Sequence, residues 1–381
     1  MHLAARLVLG AVLLLAGNGA FAADHIGYVG TYTAGASKGI YGLHLGAGGK
    51  LESLGVLAEV ANPSFVATDS QHRFLYALTE KSAPKDPAGF LSSYAIDPAT
   101  GALRFLNRVS ANGTVTGHLA VDGSGRWLLA ANYGSGSVAV FALGADGSIG
   151  GMSDFKQHAG SSVDPKRQMG PHPHEVVMSS DNRFLFVPDL GLDKIFSYRF
   201  DATTGKLMPN DPAATSVLPG FGPRHMIFGR GENFAYVLGE MGSKVTAMSY
   251  DAASGKLTPI QMIATLPGGF EGENNSAELA LDQEGRFLYA SNRGHDSVAQ
   301  FAIDPKNGKL SLVAVTPTGG KIPRSIAITP AGDELLAANQ DSNTVTVFRR
   351  DRRTGSLTPS GQSLDIPSPV CILFVPLRAA R

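Results

Sequence analysis

Four short stretches hold the side chains best suited to chemistry. Gln168-Met169-Gly170-Pro171-His172-Pro173-His174-Glu175 sets two imidazoles around a proline, just ahead of an apolar run. Gly222-Pro223-Arg224-His225 repeats that arrangement with a guanidinium. Gly239-Glu240 ends the apolar run that begins at Phe234, and Ser291-Asn292-Arg293-Gly294-His295 ends the one that begins at Phe287. Glu278, in Asn275-Ser276-Ala277-Glu278, opens the unit to which Arg293 belongs. A His, a Glu and two Arg brought together can open an ester or a lactone. A base takes a proton from water, fixed donors stabilise the oxyanion, and guanidiniums hold a carboxylate or phosphate through paired hydrogen bonds. Each residue also has a plain structural reading. His172 and His174 can cap strands or bond to loop backbone, and Arg224 and Arg293 can pair with Glu240 or Glu278. Asn292 recurs with Asn132 and Asn339 at one position of a repeat, which favours a turn role. His-x-His can also ligate a metal, but the expectation is chemistry without a metal or other cofactor.

Residues this far apart need a frame that returns them to one place, and that frame is legible as a repeat. A polar turn precedes an apolar strand six times: Gln71-His72-Arg73-Phe74-Leu75-Tyr76, Gly125-Arg126-Trp127-Leu128-Leu129, Asn182-Arg183-Phe184-Leu185-Phe186, Glu232-Asn233-Phe234-Ala235-Tyr236, Gly285-Arg286-Phe287-Leu288-Tyr289 and Asp333-Glu334-Leu335-Leu336-Ala337. The period is about 50 residues, which is that of propeller blades. A partner strand follows each copy. Several of these run into a turn such as Asp97-Pro98-Ala99-Thr100-Gly101 or Asp251-Ala252-Ala253-Ser254-Gly255, where Gly supplies a positive φ. No stretch keeps a helical period. The chain ends hold partial repeats. Residues 26–57 read as the later strands of a blade, and Val370-Cys371-Ile372-Leu373-Phe374-Val375 reads as a lone apolar strand. Joined, they predict an all-β, seven-bladed β-propeller closed by pairing of the N- and C-terminal strands, with no free edge between them. A six-bladed ring with a frayed end is the alternative.

Composition narrows the partners. Lys plus Arg and Asp plus Glu both number 32, with no basic stripe, which argues against a nucleic-acid partner. The N-terminus reads as an export signal: Arg6, then an apolar core over residues 7–16, then Ala20-Phe21-Ala22 as a small-x-small cleavage site. Residues 1–22 are expected to be removed, leaving 23–381 as one periplasmic or secreted domain with no membrane attachment. An uncleaved anchor is the alternative, although the apolar run is short for a membrane span. The single cysteine, Cys371, excludes an internal disulfide and reads as a buried, inert thiol.

Over nearly the whole of residues 23–381 the sequence resembles the propeller lactonase family, which includes the bacterial YbhE-type 6-phosphogluconolactonases and the fungal carboxymuconate lactonizing enzymes. The likeness runs in order through Tyr28-Val29-Gly30-Thr31-Tyr32-Thr33, Asn62-Pro63-Ser64-Phe65, the stretch from Gly160 through Asp164-Pro165-Lys166-Arg167-Gln168 to Pro171-His172-Pro173-His174, and Pro188-Asp189-Leu190-Gly191-Leu192-Asp193-Lys194. It continues through Gly222-Pro223-Arg224-His225, Ser276-Ala277-Glu278 and Ser291-Asn292-Arg293-Gly294. The resemblance implies a seven-bladed fold and catalysis by His174, Glu240, Arg224 and Arg293, with His172 able to replace His174. Gln168, His172, His225, Glu278 and Asn292 are expected to contact substrate. The implied reaction is hydrolysis of a small-molecule lactone, with His174 or Glu240 activating water. The export signal leaves open whether that lactone is phosphorylated. Two other readings stand beside it: a non-catalytic propeller that binds a glycan or protein, and a muconate-type cycloisomerase.

Overall fold

The computed structural model describes residues 25–46, 50–83 and 85–378, so the expected signal segment 1–22 lies outside the described residues. The chain forms seven four-stranded antiparallel sheets arranged as a ring. One 3-10 turn, Gln340–Ser342, is the sole helical element among the described residues. The ring closes as the repeat predicts. Pro369–Pro376 pairs antiparallel with His25–Thr31 and becomes the first strand of the blade whose other strands are Gly39–Leu45 and Leu51–Glu59. The remaining six blades are the six countable repeats. Their first strands are Val66–Thr68, Thr116–Val121, Val177–Met178, Pro223–Phe228, Asn275–Leu281 and Pro323–Ile328. Most neighbouring first strands contact one another around the central channel, Val177–Met178 being too short to share in this.

The core is divided among seven apolar layers, each between adjacent blades. In one, Ile26, Tyr28 and Ile40 pack against Val66, Leu75, Ala77 and Tyr94 of the next blade, with Cys371 among them. Another joins Val29, Tyr41 and Leu43 to Leu336 and Val345 across the closure. Alternation along the second and third strands of each blade sends apolar side chains to both faces, because both faces meet a neighbouring blade, while the outermost strands are largely exposed. Each fully buried Leu or Phe contributes roughly 1.5–3 kcal/mol. Burial pushes the Cys371 thiol up to about 12, which keeps it protonated and inert.

The Asp-x-x-x-Gly turns lock blades together. Asp97 Oδ1 accepts from the backbone of Ala99 and Thr100, and Tyr28 donates its hydroxyl to the Gly101 carbonyl across the blade boundary. Gly101 sits at φ +72°, and a Cβ there would lie 2.4 Å from Ile26 Cδ1, so both conformation and close approach demand glycine.

Candidate active site

Two backbone positions, repeated in every blade, build the site. The first lies just past the end of the second strand, where the chain still bonds the segment entering the first strand. Tyr32 N donates to Ser368 O, Glu80 N to Asn62 O, Tyr133 N to Val115 O, Leu190 N to His172 O, Glu240 N to Gly222 O and Gln340 N to Ile322 O. Arg293 holds the corresponding place opposite Asn275. The second position is an extra residue in the first strand. Thr116 pairs with Asn132 and His118 with Ala131, so Gly117 is inserted between them. Arg224 and Arg324 are inserted in the same way. His174 follows the Pro173–Asp189 bridge at the matching point. Such bulges re-aim a side chain while leaving the sheet paired.

Together these positions line a cavity of about 390 Å³ at one mouth of the channel, bounded by Tyr32, Glu80, Tyr133, Glu240, Arg293 and Arg324, with His174, Arg167 and Lys81 among its walls. Glu240 is buried and fully engaged. Its Oε1 accepts from Arg167 Nη2 at 2.7 Å. Its Oε2 accepts from Arg224 Nε at 3.1 Å and pairs with Arg293 Nη2 at 2.9 Å. Burial raises the carboxyl pKa, but Arg293, Arg224 and Arg167 outweigh it and hold Glu240 at about 2. His174 Nε2 lies 4.0 Å from Glu240 Oε2, and its Nδ1 has no hydrogen-bond partner among the described residues. Burial first, then Arg224 and His225, push its pKa well below 6.5, so the imidazole is neutral at pH 7. The ring is held edge-on between Tyr133 and His225.

The structure brings His174, Glu240, Arg224 and Arg293 together as the sequence suggests, but they are not equivalent. Arg224 is 3% exposed and lies behind Glu240, bonded also to the Ala277 carbonyl and to His225 Nε2, so it does not reach the cavity. The five residues expected to contact substrate are engaged elsewhere. Gln168 is fully buried and ties its loop together, donating to Leu190 O and accepting from Asp164 N. His172 stacks on Tyr133 with ring centroids 4.4 Å apart and bonds the Tyr133 carbonyl through Nδ1, so it is His174 that faces the cavity. His225 and Glu278 pair at 2.7 Å beneath the cavity floor. Asn292 is fully buried and stitches Thr265, Ser276 and Ser297, the structural role its recurrence favours.

Below the cavity lies a second ring formed by Phe65, His118, Glu175, His225 and Glu278. Phe65 packs on His118 at 4.0 Å, and His118 Nε2 lies 3.6 Å from Glu175 Oε1. Burial pushes Glu175 well above the usual carboxylate range.

Several cavity residues escaped sequence reasoning: Tyr32, Glu80, Lys81, Tyr133, Arg167 and Arg324. Aligning the blades on their prolines finds one of them, because Pro323-Arg324-Ser325 matches Pro223-Arg224-His225 and Pro173-His174-Glu175. Arg167 is carried by the loop that Gln168 anchors, where Asp164 Oδ1 accepts from the backbone of Lys166 and Arg167. Arg324 forms no ion pair or hydrogen bond among the described residues and lies over the Tyr32 ring, 5.3 Å from its centroid.

The family model "Lactonase, 7-bladed beta-propeller" matches residues 26–374. The chain belongs to the seven-bladed β-propeller lactonase family. Among curated relatives of this lactonase-family enzyme, a 6-phosphogluconolactonase of Bacillus subtilis is 35% identical over 352 residues, covering 92% of this chain and 98% of that protein. A 6-phosphogluconolactonase of Formosa agariphila is 33% identical, covering 83% of this chain and 89% of that one. Among solved structures, the periplasmic gluconolactonase PpgL of Pseudomonas aeruginosa superposes with a TM-score of 0.88 at 36% identity, covering 93% of this chain and 100% of that one. Among the described residues no helix is long and apolar enough to cross a membrane.

Proposed function

We propose that this enzyme hydrolyses a sugar lactone in the channel cavity, as the names of its relatives suggest. The observation that carries the reading is a neutral His174 lying 4.0 Å from a carboxylate, Glu240, that fixes three guanidiniums beside a cavity of small-molecule size. Glu240 acts as the organiser. With both oxygens bonded and a pKa of about 2, it does not take a proton from water but orients Arg293 and Arg167 toward the lactone carbonyl. These two arginines stabilise the oxyanion as it forms. Arg224 supports them from behind, so the pair that meets substrate is Arg293 with Arg167, in place of Arg293 with Arg224. The uncharged His174 supplies a hydrogen bond to the reacting group through a ring nitrogen.

The substrate is an anion-bearing sugar lactone. Arg167, Arg293, Arg324 and Lys81 line the cavity against Glu80 and Glu240, leaving an excess of positive charge. Arg324 has no carboxylate within ion-pair distance among the described residues, feels Glu80 and Glu240 at longer range, and receives the substrate's phosphate or carboxylate. Residues 1–22 are proposed to direct export to the periplasm, with 23–381 as the working domain. The periplasmic Pseudomonas neighbour supports that placement.

The test is acid release, followed at constant pH, from glucono-1,5-lactone and from its 6-phosphate. Turnover of the 6-phosphate above the spontaneous rate, and faster than that of the neutral lactone, is the expected result. Spontaneous rates on both, with the protein folded, would leave the binding-propeller reading in its place.

A further inference from the structure

If Glu240 is unavailable as a base, another group must activate water. We infer that Glu80 is the general base of the lactonase reaction, an assignment that rests on the lactone reading above. Four observations carry it. Glu80 lines the same cavity as His174, Arg293 and Arg167. No Lys, Arg or His lies within ion-pair distance of it among the described residues, in contrast to the three guanidiniums on Glu240. Its orientation is fixed through one oxygen: Tyr32 Oη and Ser64 Oγ each donate to Oε2 at 2.7 Å. Its other oxygen, Oε1, accepts no hydrogen bond from the described protein, which leaves it available to a water in the cavity.

The hydroxyl donors are dependable. Burial raises the Tyr32 pKa well above its ordinary value, so the phenol stays protonated throughout the working range and always donates. Ser64 holds the first-strand position that His174, Arg224 and Arg324 hold in other blades, and Glu80 and Tyr32 hold the second-strand position of Glu240 and Arg293. Glu80 and its two tethers therefore sit at the same two backbone places as Glu240, Arg293 and His174, in other blades.

A water gives one proton to Glu80 Oε1 while its oxygen bonds to the lactone carbonyl carbon. The carbonyl π pair moves onto oxygen beside Arg293 and Arg167. When that pair re-forms the C=O bond, the ring C–O bond breaks and its electrons leave on the former ring oxygen. That oxygen takes the proton held by Glu80, which returns the carboxylate to its starting state. The hydroxy acid then loses its carboxyl proton to solvent.

The experiment compares wild type, Glu80→Gln, Glu80→Ala and Tyr32→Phe on whichever lactone wild type turns over, with melting temperature as the check on folding. Glu80→Gln is expected to lower kcat by about 10²-fold or more with little change in KM. Added formate is expected to restore part of the activity of Glu80→Ala, which a structural role would not allow. Tyr32→Phe, which keeps the carboxylate but removes one of its two hydroxyl tethers, is expected to lower kcat several-fold. A folded Glu80→Gln with kcat within about threefold of wild type overturns the assignment. If Glu80→Gln does not fold, Tyr32→Phe at full kcat overturns it equally. A wild type inert on every lactone overturns the lactone reading itself and takes the role of Glu80 with it.

Discussion

The cavity has two carboxylates on opposite footings. Around Glu240, three guanidiniums saturate both oxygens and hold the group ionised at about 2. Around Glu80, two neutral hydroxyls hold one oxygen and leave the other without a hydrogen-bond partner among the described residues. Both residues occupy the same backbone place in their blades, bonded through N–H to the segment entering the first strand. The difference teaches that position in the blade delivers a side chain to the channel, while its neighbours decide its chemistry. Arg224 and Arg324 repeat the lesson. They are the extra residue of equivalent first strands, yet one is paired behind Glu240 and the other has no carboxylate within ion-pair distance among the described residues.

The largest expected effect comes from removing the organiser. Glu240→Ala leaves buried guanidiniums unpaired and should cost about 3–5 kcal/mol of stability, read by urea unfolding, together with most of the activity. The same pairings make stability depend on pH. Glu240 titrates at 4.5 when unfolded and at about 2 when folded, a difference worth roughly 3 kcal/mol. Because the folded value is the lower one, that contribution is complete above pH 4.5 and is lost as pH falls through 4.5 toward 2. Unfolding at about pH 7 and about pH 3 should show the loss in wild type and a smaller one in Glu240→Gln. Equal losses would place the acid sensitivity elsewhere.

Next is His174→Ala, expected to lower kcat about 10²-fold while the fold survives. Since His174 is already neutral at pH 7, its titration should leave no inflection in the wild-type rate between about pH 6.5 and pH 8. An inflection that vanishes in the variant would return His174 to the role of base. Arg324→Ala should raise KM for a phosphorylated lactone about 10- to 100-fold, with little change for the neutral one. An equal change for both would remove Arg324 as the anion seat. The smallest effect on turnover belongs to Asn292→Ala, which should cost about 1–3 kcal/mol of stability by stranding its buried partners. The folded fraction should keep its kcat, and a fall in kcat would show that Asn292 acts on substrate.

The fold was legible because blade burial imposes a repeated pattern on the chain. The motif pairing Asp with Gly, the apolar runs after each polar turn and the two half-repeats at the ends led to the closed seven-bladed ring. The site was legible only in part. His174, Arg224, Glu240 and Arg293 stand out because charge beside Pro or at a strand end is conspicuous. Glu80 ends an equally apolar run, Leu75-Tyr76-Ala77-Leu78-Thr79-Glu80, yet nothing in its neighbours separates it from an ordinary surface turn. Tyr32 and Tyr133 follow apolar strands, and nothing beside them in sequence marks a side chain that faces the cavity. Gln168, His172 and Asn292 misled because polarity within a recognised stretch does not reveal whether a side chain faces the cavity or braces the loop behind it.

Closure of the ring by Pro369–Pro376 places one hydroxyl of the cavity under the control of a distant stretch of chain. That strand pairs with His25–Thr31, and the backbone N–H of Tyr32, the next residue, bonds the Ser368 carbonyl. Tyr32 in turn donates to Glu80. The first and last strands therefore act as a clasp: a break there opens the wheel and slackens one tether of the proposed base at the same moment.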